Sequence, residues 1–158
     1  MATYNRTVTG GGTVGHPSNA AVPYVITSPV WDTADGGTGG DVVQLIDVPA
    51  DTMIVAGCLE VLEARGNGQI TLDVGITGGD VDCFVDGSAL AAGFTPFLEA
   101  AVGASGSNAR MLTSADTIDA LILDAGSSGE SAARFRIHVC MVDVSVNPVE
   151  SATVSTGT

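Results

Sequence analysis

The sequence predicts an all-β domain: an antiparallel β-sandwich or jelly-roll-like fold of about eight short strands with extended terminal arms. Three observations predict it. Apolar residues alternate with period two along much of the chain and almost nowhere follow the 3.6-residue period of a helix. The chain carries 21 glycines against 15% charged residues, and glycine is costly inside regular elements, so it marks turns between short segments. Apolar residues make up 45% of the 158 residues while aromatics supply 4%, which predicts a thin aliphatic core of Val, Ile, Leu and Ala.

The first strand candidate is Val22 to Trp31, with Pro23 and Pro29 marking it as an edge or broken strand. Val42 to Val48 follows. Thr52 to Ala64 is apolar on both parities, with Met53, Val55, Leu59 and Val61 against Ile54, Ala56, Cys58 and Leu62. Such a strand is expected to be covered on both sides. Arg65-Gly66-Asn67-Gly68 then supplies the Asn-Gly pair that favours a type I′ hairpin, which pairs this strand antiparallel with the next. That next strand, Gln69 to Ile76, sets Ile70, Leu72, Val74 and Ile76 on one face and Thr71, Asp73 and Gly75 on the other, the pattern of a half-buried strand.

Gly78-Gly79 separates it from Val81 to Val85, which Asp86-Gly87 closes, continuing a meander. Ser88 to Gly93 is the one stretch compatible with a helical turn, and Ala100 to Asn108 reads as a small-residue loop. Asp116 to Asp124 is a strand, the segment from Ala125 to Glu130 its loop, and Ala132 to Val146 a long returning strand. In that last strand Phe135, Ile137, Val139 and Met141 share one parity and Val142, Val144 and Val146 the other. A bulge or a switch between sheets is therefore expected near Met141. The domain spans residues 22–147, between an N-terminal arm (1–21), Thr/Gly-rich from Thr3 to His16, and a polar C-terminal tail (148–158).

Eighteen acidic residues stand against five arginines with no lysine, a formal charge of -13. Phosphate recognition needs a basic footprint, so neither nucleic acid nor an anionic membrane is an expected partner. The N-terminus lacks a charged region followed by an apolar one, and no run of eighteen apolar residues occurs, which predicts neither a cleaved export signal nor a membrane span. Cys58, Cys83 and Cys140 are odd in number, show no C-x-x-C spacing and read as buried free thiols.

Candidate chemistry is sparse. Asp73, Asp80, Asp82 and Asp86 gather around one hairpin, and Asp80, Asp82 and Asp86 are the candidates for a hard cation, which takes several oxygen ligands. Their spacing does not fit an EF-hand, and aspartates at strand ends more often cap turns. Gly10-Gly11-Gly12-Thr13-Val14-Gly15 matches a dinucleotide-binding glycine pattern formally, but His16-Pro17 follows where a helix N-terminus is required. His138 and Cys140 share a strand face without a recognisable carboxylate to orient them, and no G-x-S-x-G elbow exists, so no catalytic residue and no cofactor are assigned. Asn5-Arg6-Thr7 is a glycosylation sequon that matters only in a secreted chain.

Arg134, Arg136 and His138 form one strand face and gather two of the five arginines. They read either as a solvated face balanced by neighbouring carboxylates or as a contact with an acidic partner or another subunit, since Arg is favoured at interfaces. Tyr4 and Arg6, in the arm, complete the interface candidates.

The run Asp41-Val42-Val43-Gln44-Leu45-Ile46-Asp47-Val48-Pro49-Ala50, then Ile70-Thr71-Leu72-Asp73-Val74-Gly75, Asp80-Val81-Asp82-Cys83-Phe84-Val85-Asp86-Gly87 and Ser114-Ala115-Asp116-Thr117-Ile118-Asp119 resembles small virion proteins of tailed bacteriophages, especially marine and cyanobacterial ones. The resemblance spans about residues 41–145. It implies a non-enzymatic capsid decoration or cement subunit on the outer surface of a phage head, made in the host cytoplasm and bound to the major capsid protein. Copies would associate about a symmetry axis, as a trimer, with Thr52 to Ala64 and the N-terminal arm supplying buried contacts. The alternative is a carbohydrate-binding or adhesin module of a phage fibre or tail, for which Trp31, Tyr4 and Tyr24 are the aromatic side chains that could stack on sugars.

Overall fold

Two-residue alternation is realised as eleven strands in the computed structural model, which describes residues 3–9, 23–35, 39–64, 71–76, 79–97, 110–124 and 133–145. They are β1 (Thr3–Thr9), β2 (Tyr24–Thr27), β3 (Trp31–Asp32), β4 (Val42–Val48), β5 (Thr52–Glu63), β6 (Thr71–Ile76), β7 (Val85–Ala89), β8 (Gly93–Pro96), β9 (Arg110–Leu112), β10 (Asp116–Asp124) and β11 (Arg134–Asp143). Five form one sheet in the order β1-β4-β10-β6-β7. Six form the other in the order β2-β11-β5-β8, with β3 also on β11 and β9 also on β5. All pairings are antiparallel except that of β1 with β4.

The result is an all-β sandwich. Val43, Leu45, Leu72, Val74, Ile118 and Ile122 of one sheet face Ile54, Leu59, Phe135, Ile137 and Val139 of the other, all buried. Apolar area removed from water between such layers is the main stabilising term. Aromatics reinforce it locally: Phe84 and Phe97 stack with ring centroids 4.8 Å apart. Phe97 lies so close over Gly57 that a Cβ there would overlap its ring. Among the described residues no helix is long and apolar enough to cross a membrane.

β4 and β10 have the bounds expected of them, and the proline-marked first segment is broken into β2, an edge strand, and β3. The bulge expected near Met141 is present, but the extra residue lies in the partner strand. Cys140 faces Ala56 while Met141 faces Ile54, so Val55 has no counterpart. β11 therefore keeps one buried face from Phe135 to Met141, while the buried parity of β5 flips from Thr52 and Ile54 to Leu59 and Val61. β4 carries a similar device. Its register on β10 shifts between Ile46 and Gln44, leaving Leu45 as the extra residue, which is why Val43, Leu45, Ile46 and Val48 are all buried.

Four expectations are corrected. The Asn-Gly segment does not join a hairpin, because β5 and β6 belong to different sheets, and residues 65–70 themselves lie outside the described set. A turn-favouring dipeptide fixes local backbone, not the partner of either flanking strand. The strand after β6 begins at Val85, not Val81, and includes Asp86 and Gly87. Ser88 to Gly93 is not helical; the helical turn among the described residues is a 3-10 turn at Thr33–Asp35. Finally, β6 is buried on both faces: Asp73 and Gly75 are buried along with Leu72 and Val74. Segment 80–87 folds back over it, with Ile76 N–H donating to Asp80 O at 3.0 Å and Phe84 N–H to Val74 O at 2.8 Å.

Thr3–Thr9, within the N-terminal arm, runs as β1 along β4. Residues 10–22, with the glycine run and His16, lie outside the described set, as do 98–109 and 146–158.

Candidate functional site

Strand register assembles one surface, the outer face of the six-stranded sheet, from residues far apart in sequence. Asp32, Arg134 and Glu63 form one cross-strand row. Arg136, Glu60 and Phe94 form the next. Thr27, His138, Cys58 and Pro96 follow, and then Val25, Cys140 and Ala56. Past the bulge, Met53 sits between Val142 and Met111. At the margins Val25 and Phe94 are each 68% exposed and Met111 54%.

Glu60 organises the centre. Its Oε2 accepts from Arg136 Nε at 2.5 Å and pairs with His138 Nε2 at 2.8 Å. His138 Nδ1 lies 2.9 Å from Thr27 Oγ1. Because an ionised carboxylate only accepts, His138 donates to it from Nε2, while Nδ1 and the threonine hydroxyl share the second bond. The bonds from Arg136 and His138 hold the Glu60 carboxyl below its usual range. Arg134 is held more loosely, its Nε 3.9 Å from Asp32 Oδ2 and half its side chain in water. The basic stripe is thus brought together as expected and is largely balanced by neighbouring carboxylates.

Glu60 was not singled out in the sequence. Its parity places it on the face of β5 opposite the core, but the strand beside it is set by the β5–β11 register, which joins residues 76 apart. With both ring nitrogens of His138 engaged, neither is directed at Cys140. The thiols need one correction: Cys83 is buried, but Cys58 and Cys140 are half-exposed on this face, and all three are free. Burial pushes the Cys83 thiol up to about 11, and burial followed by the Glu60 charge raises that of Cys58, so both are protonated at neutral pH. Replacing Glu60 by Gln is expected to lower the melting temperature by about 1–3 °C at pH 7, and by less at pH 3. A group whose folded-state titration lies below the unfolded one stabilises above its unfolded value and loses that contribution as pH falls. Thermal denaturation at the two pH values checks it.

The aspartates lie at the opposite sheet, Asp73 on β6, Asp86 on β7, and Asp80 and Asp82 in the segment between them. Buried Asp73 accepts Gly87 N–H at 2.6 Å; burial first, and then the charges of Asp82 and Asp86, raise its titration. Asp80 is raised by a hydrogen bond with Asp82, while Arg110 acts in the other sense. Asp86 lies exposed at the start of β7. Among the described residues no group of three or more His, Cys, Asp or Glu side chains is arranged to hold a metal ion.

Of the aromatics, Trp31 is 2% exposed in the core and Tyr24 packs against it. Tyr4 and Arg6 lie on β1, at the edge of the five-stranded sheet. Among the described side chains the large exposed aromatic is Phe94.

The two layers define an all-β sandwich, antiparallel in every pairing but that of β1 with β4. Solved structures of phage capsids contain chains of this fold. A chain in the acid-stable capsid structure of Helicobacter pylori bacteriophage KHP30 is 16% identical, with 77% of this chain and 88% of that one covered and a TM-score of 0.57. A chain of the cyanophage Pam1 capsid asymmetric unit is 15% identical over 84% and 94%, with a TM-score of 0.59. One from the capsid of Ralstonia phage GP4 is 22% identical over 79% and 87%, with a TM-score of 0.55. No protein-family model and no curated protein matches the chain.

Proposed function

We propose that the protein is a structural subunit of a phage virion, a decoration or cement protein bound to the outside of the head. The observation that carries this reading is the outer face of the six-stranded sheet, where apolar side chains ring a neutralised Arg136–Glu60–His138 centre. Such a face suits packing against another protein: arginine and aromatic side chains are the residue types enriched at interfaces. The shared sandwich in three phage capsids supports it. The partner is the major capsid protein, and copies associate as a trimer about a local symmetry axis.

The arm (1–21) and the tail (148–158) reach across subunit boundaries, with Tyr4 and Arg6 contributing contacts and β1 fixing the start of the arm to the sandwich. The charge of -13 keeps the decorated surface soluble and free of nucleic acid. Electron cryomicroscopy of particles of the encoding phage, made with and without the protein, tests the proposal. Density on the shell exterior that is lost in its absence, together with a fall in the temperature at which heads release DNA, is the expected result. Density at a tail fibre, or none on the particle, overturns it.

A further inference from the structure

We propose that segment 79–87, folded over β6, is a pH-gated lid: closed, it shuts two aspartates on the outer side of the five-stranded sheet away from water, and their ionisation opens it. The device does not depend on the virion reading.

Leu72, Val74, Ala120 and Ile122 turn β6 and β10 toward the core, so the alternate residues of both strands belong to a face that ordinarily meets water. Two of those residues are acids, yet Asp73 is 6% exposed and Asp119 5%. Register sets Asp119 opposite Gly75 and Asp73 opposite Leu121, which makes the two carboxyls diagonal neighbours on one face. The lid crosses this face at close range, since a Cβ on Gly75 would overlap the backbone of Asp80 and Val81. Hydrogen bonds fasten it along its length, from Ile76 N–H to Asp80 O, from Gly79 N–H to Ile76 O at 3.2 Å and from Phe84 N–H to Val74 O. Its far end is tied to one of the acids, because Gly87 N–H donates to Asp73 Oδ1. Gly87, at a φ of 58°, takes left-handed backbone there.

The groups around the two acids favour closure only while they hold protons. Burial is the largest influence on each and raises both titrations; Gly87 N–H opposes it at Asp73 and Thr117 at Asp119. Neighbouring charges add to the rise, from Asp82 of the lid and Asp86 of β7 at Asp73, and from Asp116 at Asp119. β4 brings neutral Gln44 opposite Asp119 and acidic Asp47 opposite Thr117. Within the lid, Asp80 and Asp82 are joined by a hydrogen bond, which two carboxyls make only with a proton between them. The cation on this side is Arg110 of β9, beside Gly79, and its influence reaches Asp80 and the protonated Cys83 thiol. Once Asp73 and Asp119 ionise, a closed lid keeps two like charges out of water, and opening it hydrates them. The closed state therefore binds more protons than the open one. Closure is complete at low pH and weakens as pH rises through about 6, where Asp119 titrates.

Amide hydrogen exchange of the full chain at pH 5 and pH 8, corrected for the intrinsic effect of pH on exchange, tests this. The quantity read is exchange at the Ile76, Phe84 and Gly87 amides relative to that of the β11 amides in the other sheet, which separates lid opening from global unfolding. In the wild type this ratio is expected to rise about 10-fold between the two pH values. Asp119→Asn and Asp73→Asn should each reduce the rise, and the double variant should hold the ratio within about 2-fold. Asparagine keeps a side-chain oxygen for Gly87 N–H, so the fastening itself survives the substitution. A wild-type ratio equal at pH 5 and pH 8 overturns the inference, because lid and sheet would then respond to pH as one unit. A rise undiminished in both single variants overturns it as well, since groups other than these two acids would be driving the opening.

Discussion

Replacing Gly75 by alanine is expected to destabilise the fold by about 3–4 kcal/mol, lowering the melting temperature by roughly 8–15 °C. A Cβ at this position would overlap the backbone of Asp80 and Val81, the carbonyl oxygens of both included. Backbone cannot swing aside as a side-chain tip can. The segment above is also tied down: Ile76 N–H and Phe84 N–H bond into it and across to β6, and Gly87 N–H is held by Asp73. Lifting it would strain those bonds and draw Phe84 away from its stack on Phe97 in the core. Thermal and urea denaturation of the variant measure the effect. A melting temperature within about 2 °C of the wild type would mean that the segment over β6 is not held where the structure has it.

That same glycine shows where sequence reasoning reached its limit. Alternation along Gln69 to Ile76 identified the buried parity correctly, since Leu72, Val74 and Ile76 do face the core. It could not show that the other parity is covered as well, because the cover is irregular backbone with no periodicity of its own. Val81 looked like the start of a strand on composition, yet it lies exposed in that cover, while Cys83 and Phe84 turn inward. β4 and β10 were legible end to end: their apolar runs are flanked by residues that favour turns. Even the bulge announced itself as a parity change in β11, although the inserted residue is in β5.

Pairing was the part that local pattern does not encode. β5 lies between β11 and β8, and β6 between β10 and β7, so two strands separated by an Asn-Gly segment end in different layers. Long-range pairing rewards burial, which local turn chemistry does not measure. The candidate interface followed the same division. Arg134, Arg136 and His138 were visible as a face because a strand displays alternate residues together. Glu60, Thr27 and Phe94 join them only through register with β5, β2 and β8.

Register also creates a buried acid. Asp119 is 5% exposed, lies opposite Gly75 on one side and Gln44 on the other, and is thereby placed beside the segment that covers β6. Burial pushes its carboxyl up to about 6, aided by the Asp116 charge and opposed by a hydrogen bond with Thr117. The unfolded chain returns it to the ordinary aspartate value near 3.9. The folded state therefore binds the extra proton between these limits. The resulting stability is complete below about pH 4 and is lost as pH rises through about 6.

Full desolvation would make that loss roughly 3 kcal/mol; about 2 kcal/mol is expected once residual solvent screening is allowed for. A side-chain amide has no charge to bury, so Asp119→Asn should raise the melting temperature by about 4–8 °C at pH 8 and leave it nearly unchanged at pH 4. Glu60 has the opposite linkage, so the two carboxyls, one on each sheet, pull stability in opposite directions as pH falls. A double variant, Asp119→Asn with Glu60→Gln, should flatten the melting temperature between pH 4 and pH 8 more than either change alone. An equal gain from Asp119→Asn at both pH values would show that the substitution acts through packing and that the buried carboxylate carries no charge penalty.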